Sequence, residues 1–341
     1  MAVFDDKANV TAVLSPFDSF STTQSSYIPP SSDGTTVKDG FYRFGPRGSI
    51  TSVPAGFSSG MTIVAGEGIG ATMRDWGLLL MRHGGKNPDL WKEDYSMKYL
   101  GYTTDNGAYY YYLTEPGKNY EETILALKDY SVKEEIPYKW ILYDSWFYLK
   151  SNKTSKDGLP QDPAHGAINW TDADPAIFPH GLRYVYEKTG WPVVAHARAW
   201  AVDNVYAEYN GGKYPFGKGM DLWNQTISIP LTDQFWDDLL TNAREWGLLQ
   251  YQQDWMYTQA GMVPVMESAT LGKQWRMQMT NALTRHGMRF GFGGVMPADW
   301  LMSTMQQSVT NGRVSNDYHA NLDDRGALNW FVKMHTQQKK P

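Results

Sequence analysis

The chain has 341 residues, a net charge of −5, 42% hydrophobic and 20% charged residues, and no cysteine. Its length suits one barrel with an appendage, while the acidic balance, unrelieved by any Lys/Arg-rich run, excludes a general nucleic-acid binder. Disulfides, thiolate metal sites and thiol nucleophiles are excluded outright, and no segment approaches the ~20 apolar residues of a membrane helix.

MAVFDDKANVTAVL at the amino terminus has no apolar run long enough for a signal peptide, so the sequence as written reads as soluble. Its compartment stays open, an extracellular one included should a leader precede it. Residues 1–86 carry Pro, Gly, Ser and Asp in clusters (SYIPPSSDG, FGPRGS, VPAGFSSG), which favour turns. Between them GSITSV and MTIVAG read as strands. An N-terminal all-β, sandwich-like segment ending near Lys86 is expected. GEGIG at 66–70 matches half a dinucleotide fingerprint; without the full glycine spacing and a following helix in a βαβ unit, it is set aside.

From residue 87 the texture changes to alternating strands and helices. Strands are expected near 100, 138, 191, 248, 288 and 308, with amphipathic helices over 120–135 and in GLRYVYEKTG, TDQFWDDLLTNAREWG and KQWRMQMTNALTRHG. A repeated βα pattern implies a parallel sheet, and the fold class is α/β, a (β/α)8 TIM-type barrel over 87–341. Six strands are two short of eight. Only 24 residues follow Asp317, enough for one helix (DRGALNWFVKMHT) and a basic tail. The barrel is therefore expected to be incomplete after strand 6, to close unusually, or to hide two strands that the pattern does not show.

In such a barrel the chemistry sits at the carboxyl ends of the strands. WGLLQYQQD, residues 246–254, runs out of a helix through a strand onto an acid, and Asp254 is the candidate nucleophile. The competing reading is that Asp254 merely caps the segment after it. Aromatic residues make 14% of the chain, many beside polar residues, as suits sugar rings with apolar faces and hydroxyl rims; large aromatic cores give the same count. Trp146, Trp200 and Trp255 are candidates for an aromatic floor, with burial in the core as the alternative. His196 and Arg198 alternate along the third strand and so share a face. The seven histidines lack metal-ligand spacing, and no metal or cofactor is expected.

Four motifs together resemble the retaining α-galactosidase and raffinose-synthase-like clan of glycoside hydrolases. YDSW at 143–146 is similar to the clan's second-strand Asp-Asp-x-Trp, whose acids hold sugar hydroxyls. WGLLQYQQD keeps Trp-Gly followed by the nucleophile eight residues after the Trp. RVSND keeps Arg313 four residues before Asp317, in the position of the general acid/base. YTTDNGAYYYY at 102–112 looks like the first-strand substrate loop.

The resemblance implies a retaining α-glycoside hydrolase, with Asp254 and Asp317 catalytic. Asp105, Asp144, Trp146, His196, Arg198, Trp200, Gln252, Trp255 and Arg313 would bind an α-linked carbohydrate. There are two departures: Gln252 replaces the clan's Lys before the nucleophile, and Ser145 its second Asp. Both touch recognition of sugar hydroxyls. A transglycosylase of the same mechanism, or a lapsed relative that binds carbohydrate or acts as a scaffold, are the alternatives. Oligomeric state is not legible.

Overall fold

The computed structural model describes residues 1–5, 7–31, 40–104, 114–151, 166–313 and 331–333. Strands β1 (Ala2–Asp5), β2 (Val10–Pro16), β3 (Thr23–Ile28), β4 (Phe41–Pro46) and β5 (Met61–Glu67) come first, followed by helix α1 (Ile69–His83). β1, β2 and β5 form one antiparallel sheet, and β3 pairs with β4. The segment holds sheet, as expected, but with helix α1 inside it is not all-β. Of the two strands expected here, MTIVAG is β5, whereas GSITSV makes only an isolated bridge from Ser52 to Ser268.

Helix α1 covers the three-stranded sheet on one face. After Gly68, whose φ of 74° reverses the chain, Thr72, Trp76 and Leu80 recur four apart and so share a face of the helix. Thr72 and Leu80 are buried, and the Trp76 indole donates to the Ser15 hydroxyl at 2.7 Å. GEGIG leads into helix α1, but the strand before it is antiparallel, so no βαβ unit forms there.

The second part begins with α2 (Tyr95–Lys98), β6 (Gly101–Thr104), α3 (Tyr120–Lys133), β7 (Trp140–Tyr143), β8 (Tyr148–Lys150), β9 (Ala167–Ala173) and α4 (Gly181–Thr189). Next come β10 (Val193–Ala197), β11 (Trp200–Ala201), β12 (Phe216–Met220), β13 (Thr226–Pro230), α5 (Asp233–Glu245), β14 (Leu248–Gln253), α6 (Met256–Ala260) and α7 (Val263–Glu267). The run ends with α8 (Leu271–Arg285), β15 (Arg289–Phe292), α9 (Pro297–Met302), β16 (Val309–Arg313) and β17 (Phe331–Lys333). β6, β7, β10, β14, β15 and β16 lie side by side in chain order, all parallel. These are the six strands expected from the sequence, and they curl into a half-barrel.

Two faces follow from the period of two along each strand. Ile141, Tyr143, Val193, Ala195, Tyr251, Phe290 and Phe292 join the helices in one apolar core. At the alternate positions stand Leu142, Val194, Gln250, Gln252 and Asn311, on the concave side. There the Gln250 and Asn311 amides bond each other across β15 at 3.1 and 3.2 Å. Gly291 of β15 makes this possible, because a Cβ at that position would stand 2.3 Å from the Gln250 amide nitrogen.

Two elements differ from expectation. β17 lies inside the stretch read as a terminal helix, pairing antiparallel with β16; the ladder's unpaired edge outweighs a short local helical pattern. Five strands, β12-β13-β11-β9-β8, form a second sheet that the sequence pattern did not show. It is built from the segments after β7 and β10, and so emerges at the carboxyl ends of those strands. Among the described residues no helix is long and apolar enough to cross a membrane.

Lys86 ties the amino-terminal part to the parallel sheet. Its buried ammonium donates to the carbonyls of Ser303, Gln306 and Val309 at 2.9, 3.0 and 2.6 Å. Burial pulls its pKa down to about 7, while three acceptors match the three donors of the charged form. Lys86→Met would keep the stem and strand three carbonyls, so unfolding in urea should show a loss of roughly 3 kcal/mol. An unmoved midpoint with the same slope would remove this clamp from the account.

Candidate active site

Asp254 follows directly on β14, and its backbone N–H donates to Ala197 O at 2.8 Å, extending the parallel ladder with β10. Its carboxylate is nearly closed off, with the side chain 11% exposed. Oδ2 lies 3.3 Å from His196 Nε2. Oδ1 accepts the Trp255 backbone N–H at 2.9 Å and stands 3.6 Å from an Arg313 guanidinium nitrogen. Asp254 does accept the next N–H, but it is not the cap of α6. That position belongs to Trp255, held at φ 51°, ψ 34°. For a tryptophan this left-handed conformation costs roughly 1–3 kcal/mol, a strain found mostly at functional sites.

Room for the carboxylate comes from the neighbouring strand end. A Cβ on Gly293 would stand 2.7 Å from Asp254 Oδ1, and one on Gly294, whose φ is 54°, 2.8 Å from it. Burial pushes the Asp254 pKa up. The hydrogen bond and charge of His196, then Arg313, then the Trp255 N–H outweigh this, and the carboxyl titrates below its ordinary range. Its charge is thus secured at neutral pH. Because the folded-state pKa is the lower one, the contribution to stability is complete above the free value of about 4 and is lost as pH falls through the folded-state value.

The other sequence candidates divide into three groups. Gln252, register partner of His196, lies on the concave face with its side-chain oxygen buried and without a partner among the described residues. Asp144 follows β7 on the same face and is half-buried; its Oδ1 accepts the Ser145 N–H at 2.5 Å. Arg198 lies 4.2 Å from the ring centre of half-buried Trp255, a cation over an aromatic face. Together with Asp254, His196 and Arg313, these side chains stand at the carboxyl ends of β7, β10, β14 and β16.

Trp146 and Trp200 do not join them. Trp146 is sandwiched at 4.3 Å from Tyr120 and 5.5 Å from Phe178, with its indole N–H on Thr104 Oγ1. Trp200 is fully buried in the second sheet, edge-on to Phe235 at 5.1 Å. Both serve as core: Trp146 fills the space between α3 and β7, and Trp200 the layer beneath the second sheet. Asp105 and Asp317 lie outside the described residues.

The sequence reading missed Tyr148 and Lys150, which sit two apart on β8. The Tyr148 hydroxyl is 3.2 Å from His196 Nδ1, and Lys150 Nζ donates to Ser145 O at 2.5 Å. Burial, helped by the charge of Arg198 and opposed by Asp144 and Asp174, lowers the Lys150 pKa to about 8. Nothing in the sequence marked β8 as reaching back to the third parallel strand. Among the described residues no three of His, Asp or Glu converge as a metal would need.

No family model matches the chain, and no curated protein does. Solved structures with some likeness include a xylosidase from Aspergillus niger, at 13% identity and TM-score 0.41, covering 74% of this chain and 38% of that one. The α-N-acetylgalactosaminidase NagBb from Bifidobacterium bifidum matches at 9% identity in two complexes. With Gal-NHAc-DNJ the TM-score is 0.46, covering 93% of this chain and 59% of that one. With GalNAc the score is 0.45 and the coverage 91% and 58%. The chain thus spans well under two thirds of the length of these proteins.

Arg313→Met removes one of the groups that lower the Asp254 pKa, so the carboxyl should titrate higher than in the parent. Carbon NMR of the side-chain carboxyl reads this directly. An unchanged titration would show that Arg313 is not electrostatically coupled to Asp254.

Proposed function

We propose that the chain is a retaining α-glycoside hydrolase, α-galactosidase-like in its machinery, acting on oligosaccharides or glycans by double displacement. Asp254 is its nucleophile and Asp317 its general acid/base. One observation carries the reading: a nearly buried carboxylate kept ionised at the carboxyl end of a parallel strand, with donors or positive charge at both oxygens. The motif resemblance supplies the second acid. The six parallel strands are read as the larger part of a (β/α)8 barrel, with 1–86 an appended amino-terminal unit and 87–341 the catalytic domain.

Double displacement asks two things of the carboxylates. One must attack the anomeric carbon and carry the glycosyl group; a second, roughly 5–5.5 Å away, protonates the leaving oxygen and then activates water. An ionised Asp254 meets the first requirement. Positive charge from Arg313 also stabilises the carboxylate as it is released when water attacks the glycosyl-enzyme. Asp144 and Asp105 are assigned to sugar hydroxyls, and Gln252, Arg198 and half-buried Trp255 to the wall of the sugar site.

Product configuration tests the assignment of the two acids. Asp254→Ala should abolish turnover of aryl α-glycosides, and added azide, entering the vacated space, should give the inverted glycosyl azide. In Asp317→Ala activated aryl glycosides should still form the glycosyl-enzyme, and azide should restore turnover with retention. The same configuration from both variants, or full activity in either, would mean that the pair is wrong. Saturable binding of a glycan with no release of aglycone from the parent would favour a lapsed carbohydrate binder.

Specificity provides a further check. Gln252 can donate and accept but carries no charge, so recognition of galactose should be weakened relative to an enzyme with Lys at that position. A panel of aryl α-glucosides, α-galactosides and related sugars measures this, and a clear preference for plain α-galactosides would show that Gln252 does not matter in this way.

A further inference from the structure

The second sheet meets His196, the neighbour of Asp254, at two points: the Trp170 indole of β9 donates to the His196 carbonyl at 2.8 Å, and Tyr148 of β8 reaches the imidazole itself. Tyr148 is fully buried at the start of β8, and its hydroxyl oxygen accepts the backbone N–H of Arg198 at 3.1 Å. The same hydroxyl lies 3.2 Å from Nδ1 of His196, while Nε2 of that imidazole lies 3.3 Å from Asp254 Oδ2. The planes of the two rings are nearly parallel, 10° apart. Each ring nitrogen of His196 therefore has a partner, and the side chain is only 4% exposed. Such an imidazole has no nitrogen left for a sugar hydroxyl, although the sequence pattern suggested a substrate ligand.

We propose that Tyr148 is a positioning residue: through His196 it fixes the direction from which the Asp254 carboxylate receives a hydrogen bond. A carboxylate accepts and cannot donate, so Nε2 must carry a proton. Nδ1 then either accepts from the Tyr148 O–H, when the ring is neutral, or donates to the Tyr148 oxygen, when it is protonated. A hydroxyl serves both cases, since it has one donor and two lone pairs, one of which takes the Arg198 N–H. The excluded arrangement is the neutral ring with its proton on Nδ1, because lone pairs of Nε2 and Oδ2 would then face each other across 3.3 Å. Without the hydroxyl, the ring keeps one anchor and can rotate about its bond to Cβ. One Asp254 oxygen would then lose its fixed donor, leaving Arg313 and the Trp255 N–H on the other.

The consequence for turnover rests on Asp254 being the nucleophile; the geometry itself does not. Tyr148→Phe keeps the ring and removes the oxygen. Nitrogen and proton NMR of the histidine side chains, with His196→Gln to assign the signal, should show Nε2 of His196 protonated and protected from exchange in the parent. In Tyr148→Phe that protection should be lost, and the Asp254 carboxyl should titrate higher. On aryl α-glycosides kcat should fall roughly tenfold with KM changed less than about twofold, the loss expected for one modest hydrogen bond.

An unprotonated Nε2 in the parent overturns the proposal, and that measurement stands even should Tyr148→Phe fail to fold. So does a Tyr148→Phe protein in which both the ring signal and the Asp254 titration are unmoved, whatever its turnover. If the NMR changes appear as described but no aglycone is released by the parent, the positioning holds and the glycosidase reading fails.

Discussion

A carboxylate that keeps its charge out of water imposes conditions on everything around it. Desolvation penalises the charged form, and only nearby positive charge or hydrogen-bond donors offset that penalty. At Asp254 the offset is assembled from separate elements: an imidazole from β10, a guanidinium from β16 and a backbone N–H from the residue that opens α6. None of the three is local in sequence except the last. The parallel sheet brings them together by aligning the carboxyl ends of consecutive strands, and Gly293 and Gly294, just after β15, keep the intervening segment from filling the space. The sheet is less a container for the site than the device that lets its charge persist.

The position of this acid was legible in the sequence because two independent patterns met there. A strand read from LLQYQQ, with a helix before it, ends on Asp254, and the barrel rule assigns function to that end. His196 and Arg198 were visible as alternating residues of one strand, and Arg313 as the arginine near the end of another. Their partners were not visible. That the Nδ1 side of His196 meets a tyrosine depends on β8, three residues long, folding back from a different loop; no periodicity survives in so short a strand. For Trp146 and Trp200 the aromatic count did not separate floor from core: Trp146 is stacked between Tyr120 and Phe178, and Trp200 fills a layer that the pattern did not reveal.

The fold was legible in similar proportion. Six strands with intervening helices come from hydrophobic alternation and helical spacing, the helical signal being strong over ten or more residues. At the amino terminus the density of turn residues hid a fifteen-residue helix, α1, whose apolar residues recur at helical spacing once Gly68 has turned the chain. The second sheet was hidden differently. Its strands are inserted into the two connections that would otherwise run straight from β7 and β10 to their helices.

β17 contributes only three residues to the sheet, yet its pairing reaches the site. In the antiparallel register Phe331 stands opposite Arg313 on β16. Left as an edge, β16 would expose a row of unpaired backbone groups and would fray from its end, where the arginine sits. The guanidinium beside Asp254 is thus held by a backbone clamp from a part of the chain that supplies no reacting group. Trimming residues there would act on the site as a mutation of the arginine does, without altering a single side chain around Asp254.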